Sequence, residues 1–247
     1  MHTLALPEAL MSIFQLVLSL MDTTMKTPLS LKPVRRTPKD SLMNVAKKLY
    51  PDILSIKGLS ILEYNEIIHK CRDILLHGGV ISMPTDTIYG IACSAQNIKA
   101  VQRLYNVKQR NILKPIAICV ADIDQIYKYA EVNVDKCMLN ELLPGPYTLL
   151  FNHDFLYNLT KSLSSGPIAL TSANLSNEPN SLEIKDFKNI WTNLDLIIDG
   201  GKIDNKEAQG STIIDLTNLN HYKITRKGSG LEKCIKILNK YNLQDLI

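Results

Sequence analysis

Along most of the chain, apolar positions fall into short runs whose period switches between helical and strand-like. Ile61, Ile67, Ile68, Cys71 and Leu75 recur at helical spacing. They predict a helix closing at His77-Gly78-Gly79, where glycine accepts the left-handed backbone of a helix end. Val80 to Met83 reads as a strand. Ile98, Val101, Leu104 and Tyr105 mark a second helix, with Ser94 as its cap. The unbroken run Pro115 to Val120 predicts a strand buried on both faces. Helices follow over 122–129 and 134–143, the latter stopped by Leu-Leu-Pro-Gly-Pro. Strands at 147–151 and 167–171 bracket a helix over 153–163, and Ile184, Phe187, Ile190 and Trp191 mark another. Three late strands, within LDLIIDGG, STIIDL and YKITRKG, precede a closing helix in LEKCIKILNKY. This alternation predicts an α/β fold, an open twisted sheet with helices on its faces. The run of late strands makes the sheet mixed.

Residues 1–55 break the pattern. Pro28, Pro33 and Pro38 resist a continuous helix, and the apolar stretch 9–21 is too short to span a bilayer. No transmembrane segment is expected. The stretch reads as a poorly ordered leader and candidate targeting segment that buries little apolar surface, leaving 56–247 as the functional domain. With basic and hydroxyl-bearing residues downstream, the expected compartment is the cytoplasm, the mitochondrion or both.

Charge sharpens this division. The net charge of +4 hides seven cations against one acid between Lys26 and Lys48, while the remaining 21 basic and 23 acidic side chains nearly balance. The body is therefore no general polyanion binder. Within it, Lys99, Arg103, Lys108, Arg110 and Lys114 share a window without an acid. Five cysteines form no C-x-x-C pair and the histidines show no metal spacing. Neither a disulfide framework nor a tightly bound metal is expected.

Candidate chemistry gathers in four polar clusters at strand or helix ends. They are Pro84-Thr85-Asp86-Thr87-Ile88-Tyr89-Gly90, Lys108-Gln109-Arg110 with Lys114-Pro115, Thr171-Ser172-Ala173-Asn174, and Arg226-Lys227-Gly228. Taken singly, Thr85 and Asp86 cap a turn, Ser172 and Asn174 make an Asx-type loop, and Arg226 is an edge-strand charge. Taken together, hydroxyls and an amide suit an amino acid or a ribose, and several cations suit a triphosphate. There is no Ser-His-Asp or Cys-His arrangement and no poised carboxylate pair, so no catalytic residue is assigned. The implied chemistry is positioning and charge neutralisation.

The ordered set GGVISMPTDTIYGIAC, KQRNILKPIAICV, LLPGPYTLLF, GPIALTSANLS, IIDGG, GSTIIDL and ITRKG resembles the YrdC-like threonylcarbamoyl-AMP synthase family over residues 60 to about 240. The resemblance implies an enzyme that joins L-threonine, bicarbonate and ATP, its Mg2+ carried with the nucleotide, into threonylcarbamoyl-AMP and pyrophosphate. A downstream tRNA threonylcarbamoyl-transfer complex would use the product. It implies Thr87 and Ser211 as threonine contacts, and Lys108, Arg110, Lys114, Ser172, Asn174 and Arg226 as ATP contacts. Lys114 stands where the family often has asparagine. The resemblance also implies that a Val-x-Val-Arg-Ile-Pro-like strand, whose arginine holds the threonine carboxylate, is missing between Phe151 and His153. Weak threonine binding is then expected. The alternatives are a noncatalytic RNA-binding or regulatory protein on the same fold, or an inactive isoform.

Overall fold

The computed structural model describes residues 14–18, 50–152 and 166–246. Its strands are β1 (Phe14–Leu18), β2 (Asp52–Ser55), β3 (Ile81–Pro84), β4 (Tyr89–Ser94), β5 (Ala117–Val120), β6 (Tyr147–Phe151), β7 (Ile168–Ser172), β8 (Leu196–Asp199), β9 (Thr212–Asp215), β10 (His221–Arg226) and β11 (Gln244–Asp245). The α-helices are α1 (Ile61–Leu76), α2 (Ile98–Val107), α3 (Ile123–Ile126), α4 (Lys136–Leu142) and α5 (Leu231–Lys240). The strands form one mixed sheet in the order β11-β10-β9-β6-β1-β5-β7-β4-β3-β8-β2. Neighbours run parallel in β6–β9 and β3–β8, and antiparallel in β4–β7 and β9–β10. This is the mixed, helix-flanked sheet that the alternation predicts.

Local chemistry explains the element ends. Ser60 opens α1 with a capping box in which the Ser60 hydroxyl and the Glu63 carboxylate satisfy each other's backbone N–H groups. The helix stops where Gly78 takes a φ of +81°. Asn97 rather than Ser94 caps α2, its side-chain oxygen accepting from the Ala100 N–H at 3.1 Å. The predicted helix over 122–129 shortens to the four residues of α3. The 184–191 pattern becomes a 3-10 helix, Ile184–Asn193, with non-helical backbone at Phe187. The β4 strand has no sequence expectation behind it, because burial on both sides removes the alternation that marks a half-exposed strand.

Three packed regions flank the sheet. One is set between α1 and Ile81, Ala92, Leu170, Leu196 and Ile198. A second joins Ile118, Leu149, Phe151 and Ile214 to Met138 and Leu142 of α4 and to Leu238 of α5. The third joins Tyr89, Ile91 and Ile197 to Leu104 of α2 and to Phe187 and Ile190 of the 3-10 helix. Cys93 and Cys119 are buried, and Trp191 packs partly buried with its indole N–H donating to the Ile184 carbonyl.

Two stretches of the expected leader are strands of this sheet. β2 pairs with β8, and β1 lies between β6 and β5, parallel to the first and antiparallel to the second. The rest of the leader up to residue 49, and the predicted helix over 153–163, lie outside the described residues. β6 and β7, which bracket the expected missing strand, are not neighbours, since β1 and β5 stand between them.

Candidate functional site

The turn between β3 and β4 is tied by Thr85. Its buried hydroxyl donates to the Ile88 carbonyl at 2.6 Å and accepts from the N–H groups of Thr87 and Ile88. This ST-type turn frees Thr87 and Asp86 for different surroundings. Thr87 lines a cavity of about 290 Å3 together with Arg110, Ser172, Ser211 and Arg226, so five of the eight expected contacts meet in one place. Asp86 lines a second, larger space, where burial lifts its carboxyl to about 6 against the lowering pull of its own N–H and the Thr85 hydroxyl.

Lys108 stands behind the wall of the cavity. Only 2% exposed, its ammonium donates to the Ser172 carbonyl at 2.6 Å, the Ser172 hydroxyl at 3.1 Å and the Asn174 carbonyl at 2.6 Å. Burial pushes it down to about 8, the Arg110 charge adds to this, and Glu178 opposes it. The Asn174 side chain is likewise occupied, accepting from Lys108 at 3.3 Å and donating to the carbonyls of Leu175 and Glu178. Lysine and asparagine together shape the Thr-Ser-Ala-Asn loop and aim Ser172 at the cavity. Lys114 is exposed outside the lining, and its carbonyl accepts from the Tyr105 hydroxyl and from Arg110.

The two cavity arginines are held by oxygen atoms without full charges. Arg110 donates to the carbonyls of Lys114 and Pro115, the latter at 2.9 Å. Arg226 donates twice to the Ser211 carbonyl, at 3.0 and 2.8 Å, and once to its hydroxyl at 3.0 Å. Among the described residues no ion pair joins either guanidinium to a carboxylate. Burial, followed by the Arg110 charge, lowers the Arg226 guanidinium from its ordinary value. Two partly desolvated cations that repel each other across a cavity are stabilised by an anion placed between them. The lining, among the described residues, holds no carboxylate, imidazole or thiol. Among the described residues, no group of three or more His, Cys, Asp or Glu is placed to hold a metal. Nor is any helix among them long and apolar enough to cross a membrane.

Sequence reasoning missed one contributor, Thr148, and gave no separate role to another, Gly228. Thr148 in β6 lines the cavity and shares a 2.6 Å hydrogen bond with the Ser211 hydroxyl, orienting it. A threonine among the large apolar residues of the buried strand YTLLF was the available signal. Gly228 packs so closely on the loop before β9 that a Cβ would overlap the carbonyl oxygens of Gly210 and Ser211. The glycine of Arg-Lys-Gly thus lets the backbone press Ser211 into place.

A profile of the Sua5/YciO/YrdC family, described as telomere recombination, matches residues 73–165 and 152–228, more than half of the chain. The chain belongs to the Sua5/YciO/YrdC family. The threonylcarbamoyl-AMP synthase of Bos taurus is 38% identical, over 73% of this chain and 74% of its own length. That of Homo sapiens is 36% identical with the same coverage. These Sua5/YciO/YrdC relatives are enzymes by name. Among solved structures, the P. abyssi Sua5 complexed with L-threonine superposes with a TM-score of 0.62 at 24% identity. The match covers 79% of this chain and 62% of that one, and it shows the shared fold. The two stretches matched by the Sua5/YciO/YrdC profile meet at 152–165, the place where the sequence is expected to lack a strand.

Proposed function

We propose that this chain makes L-threonylcarbamoyl-AMP from L-threonine, bicarbonate and ATP and releases pyrophosphate, supplying a tRNA threonylcarbamoyl-transfer complex. The carrying observation is the convergence of Thr87, Ser172, Ser211, Arg110 and Arg226 on one cavity whose described lining holds no carboxylate, imidazole or thiol. Relatives named threonylcarbamoyl-AMP synthase and a Sua5 structure complexed with L-threonine support this reading. In this reading Thr87 and Ser211 hold the amino acid. Arg110, Arg226 and Ser172 hold the triphosphate with its accompanying Mg2+. Lys108 and Asn174 build the wall behind them, and Lys114 lies at the exposed approach.

The reaction needs placement more than proton transfer. The threonine amine bonds to the carbon of bicarbonate with loss of water, giving a carbamate. A carbamate oxygen then attacks the α-phosphorus, and the bond to the β-phosphate oxygen breaks to release pyrophosphate. The nucleophile comes from the substrates, so the protein's task is to bring two anions together and spread the charge of the leaving pyrophosphate over guanidinium groups. Pyrophosphate release measured with each substrate omitted in turn tests this. Release that requires all three substrates supports it. No release, with RNA retained by the protein, would favour a noncatalytic RNA-binding role instead.

A further inference from the structure

The cavity is built from two halves of the sheet that meet at one strand. Ser211 and Arg226 belong to the β6–β9–β10 side, whereas Ser172 and Thr87 belong to the β5–β7–β4 side, with Arg110 tied to the Pro115 carbonyl at the entry to β5. Between β6 and β5 lies only β1. Its register is regular on both sides: Gln15 pairs with Thr148 and Cys119, and Leu16 with Leu149 and Ile118. Val17 pairs with Leu150. Thr148 and Leu150 both line the cavity, so β1 runs directly beside its floor.

We infer that Phe14–Leu18 is a positioning element of the site, a strand donated by the N-terminal segment that completes the sheet and sets the spacing between its two cation-bearing halves. Neighbouring strands stand about 4.8 Å apart, so an intervening strand holds β5 and β6 roughly 10 Å from each other. Without it, those strands either present two rows of unpaired N–H and C=O groups or close up by one strand spacing. Either change alters the distance between Arg226 and Arg110 and spoils a site whose function is placement. The sequence of β1, FQLVL, carries no charge, so the strand adds no cation or anion of its own beside the two arginines. The N-terminal segment is thereby part of the functional domain rather than a dispensable leader. This holds whichever anionic ligand the cavity takes.

The register offers a test that needs no substrate. Paired residues of antiparallel strands have Cα atoms about 4.5–5.5 Å apart, within the range a disulfide spans. A Gln15→Cys variant in a Cys137→Ser background, refolded under mild oxidation, should therefore link residue 15 to Cys119 within one chain, as read by peptide mass spectrometry. A Leu16→Cys control, opposite Ile118 and Leu149, should not. Separately, Leu16→Pro should accelerate amide exchange of Ile118–Val120 and Leu149–Phe151 by roughly tenfold or more, leaving β3 and β8 unchanged. The same Leu16→Pro variant, at a temperature where it stays folded, should bind inorganic pyrophosphate with an affinity lower by roughly tenfold or more in calorimetric titration, whereas the linked Gln15→Cys variant should keep the parent's affinity. Absence of the 15–119 link above the control, a link found only between two chains, unchanged exchange in both strands, or unchanged pyrophosphate affinity in folded Leu16→Pro would overturn the inference.

Discussion

The turn Thr85-Asp86-Thr87 stands between two cavities that differ in nearly every property that matters to chemistry. The larger, about 980 Å3, lies between α1 and the sheet and is walled by Ile67, Cys71, Leu75, Ile81, Met83 and Ile198. The smaller, about 290 Å3, brings hydroxyls and two guanidinium groups together. Volume and apolar wall measure room for a greasy occupant. Holding a triphosphate and an amino acid needs desolvated cations and oriented hydroxyls, and those are in the smaller space. The same turn serves both, because the consecutive residues Asp86 and Thr87 leave it toward different cavities. Thr87 faces the charges, and Asp86 meets an apolar wall that penalises its own charge.

The largest effect expected on this contrast is at Lys108. Lys108→Met removes the donor that serves two carbonyls, a hydroxyl and an amide oxygen in the wall of the polar cavity. Stability should fall by about 3 kcal/mol in urea unfolding, because buried acceptors are left unpaired. A variant as stable as the parent would show that the wall does not depend on the ammonium. Next, Arg226→Ala and Arg110→Ala should each weaken ATP binding by about 2 kcal/mol, more than tenfold, in calorimetric titration. Arg72→Ala at the larger cavity should leave it within about twofold. Equal losses at all three sites would erase the distinction between the cavities.

Asp86 tests the apolar side through pH. Its carboxyl is raised to about 6 in the folded protein against an ordinary value of 3.8, so the folded state binds the extra proton between these values. Stability is therefore lost as pH rises from about 4 through 6. Asp86→Asn should stabilise the protein by about 1–2 kcal/mol at pH 7.5 and confer nothing at pH 3.5, as followed by thermal melts. A gain of equal size at both pH values would assign it to something other than the buried charge. The smallest effect belongs to Thr148→Val, which removes one hydroxyl partner of Ser211. Threonine affinity should drop by about 1 kcal/mol, roughly fivefold, with ATP affinity nearly unchanged.

The helices and most strands were legible because burial on one face writes its period into the sequence. Ile61 to Leu75 show this, as does the glycine that ends α1 at Gly78. The Pro-Thr-Asp-Thr, Thr-Ser-Ala-Asn and Arg-Lys-Gly clusters were also legible, as polar residues crowded at element ends. By itself the chain therefore determined the mixed α/β class, the order of most of its elements after residue 60 and the residues worth watching. The fate of each charge in the acid-free window 99–114 was decided only in three dimensions. Arg103 pairs with Asp195 and Lys108 is buried against backbone oxygens, while Arg110 reaches the cavity and Lys99 and Lys114 stay exposed. Likewise, no local pattern told that FQLVL joins Tyr147–Phe151 and Ala117–Val120, which lie far along the chain. Periodicity records whether a side chain is buried, a local consequence of folding. Which partner buries it, and which of several equal charges meets a ligand, depends on contacts between distant residues that a linear pattern does not encode.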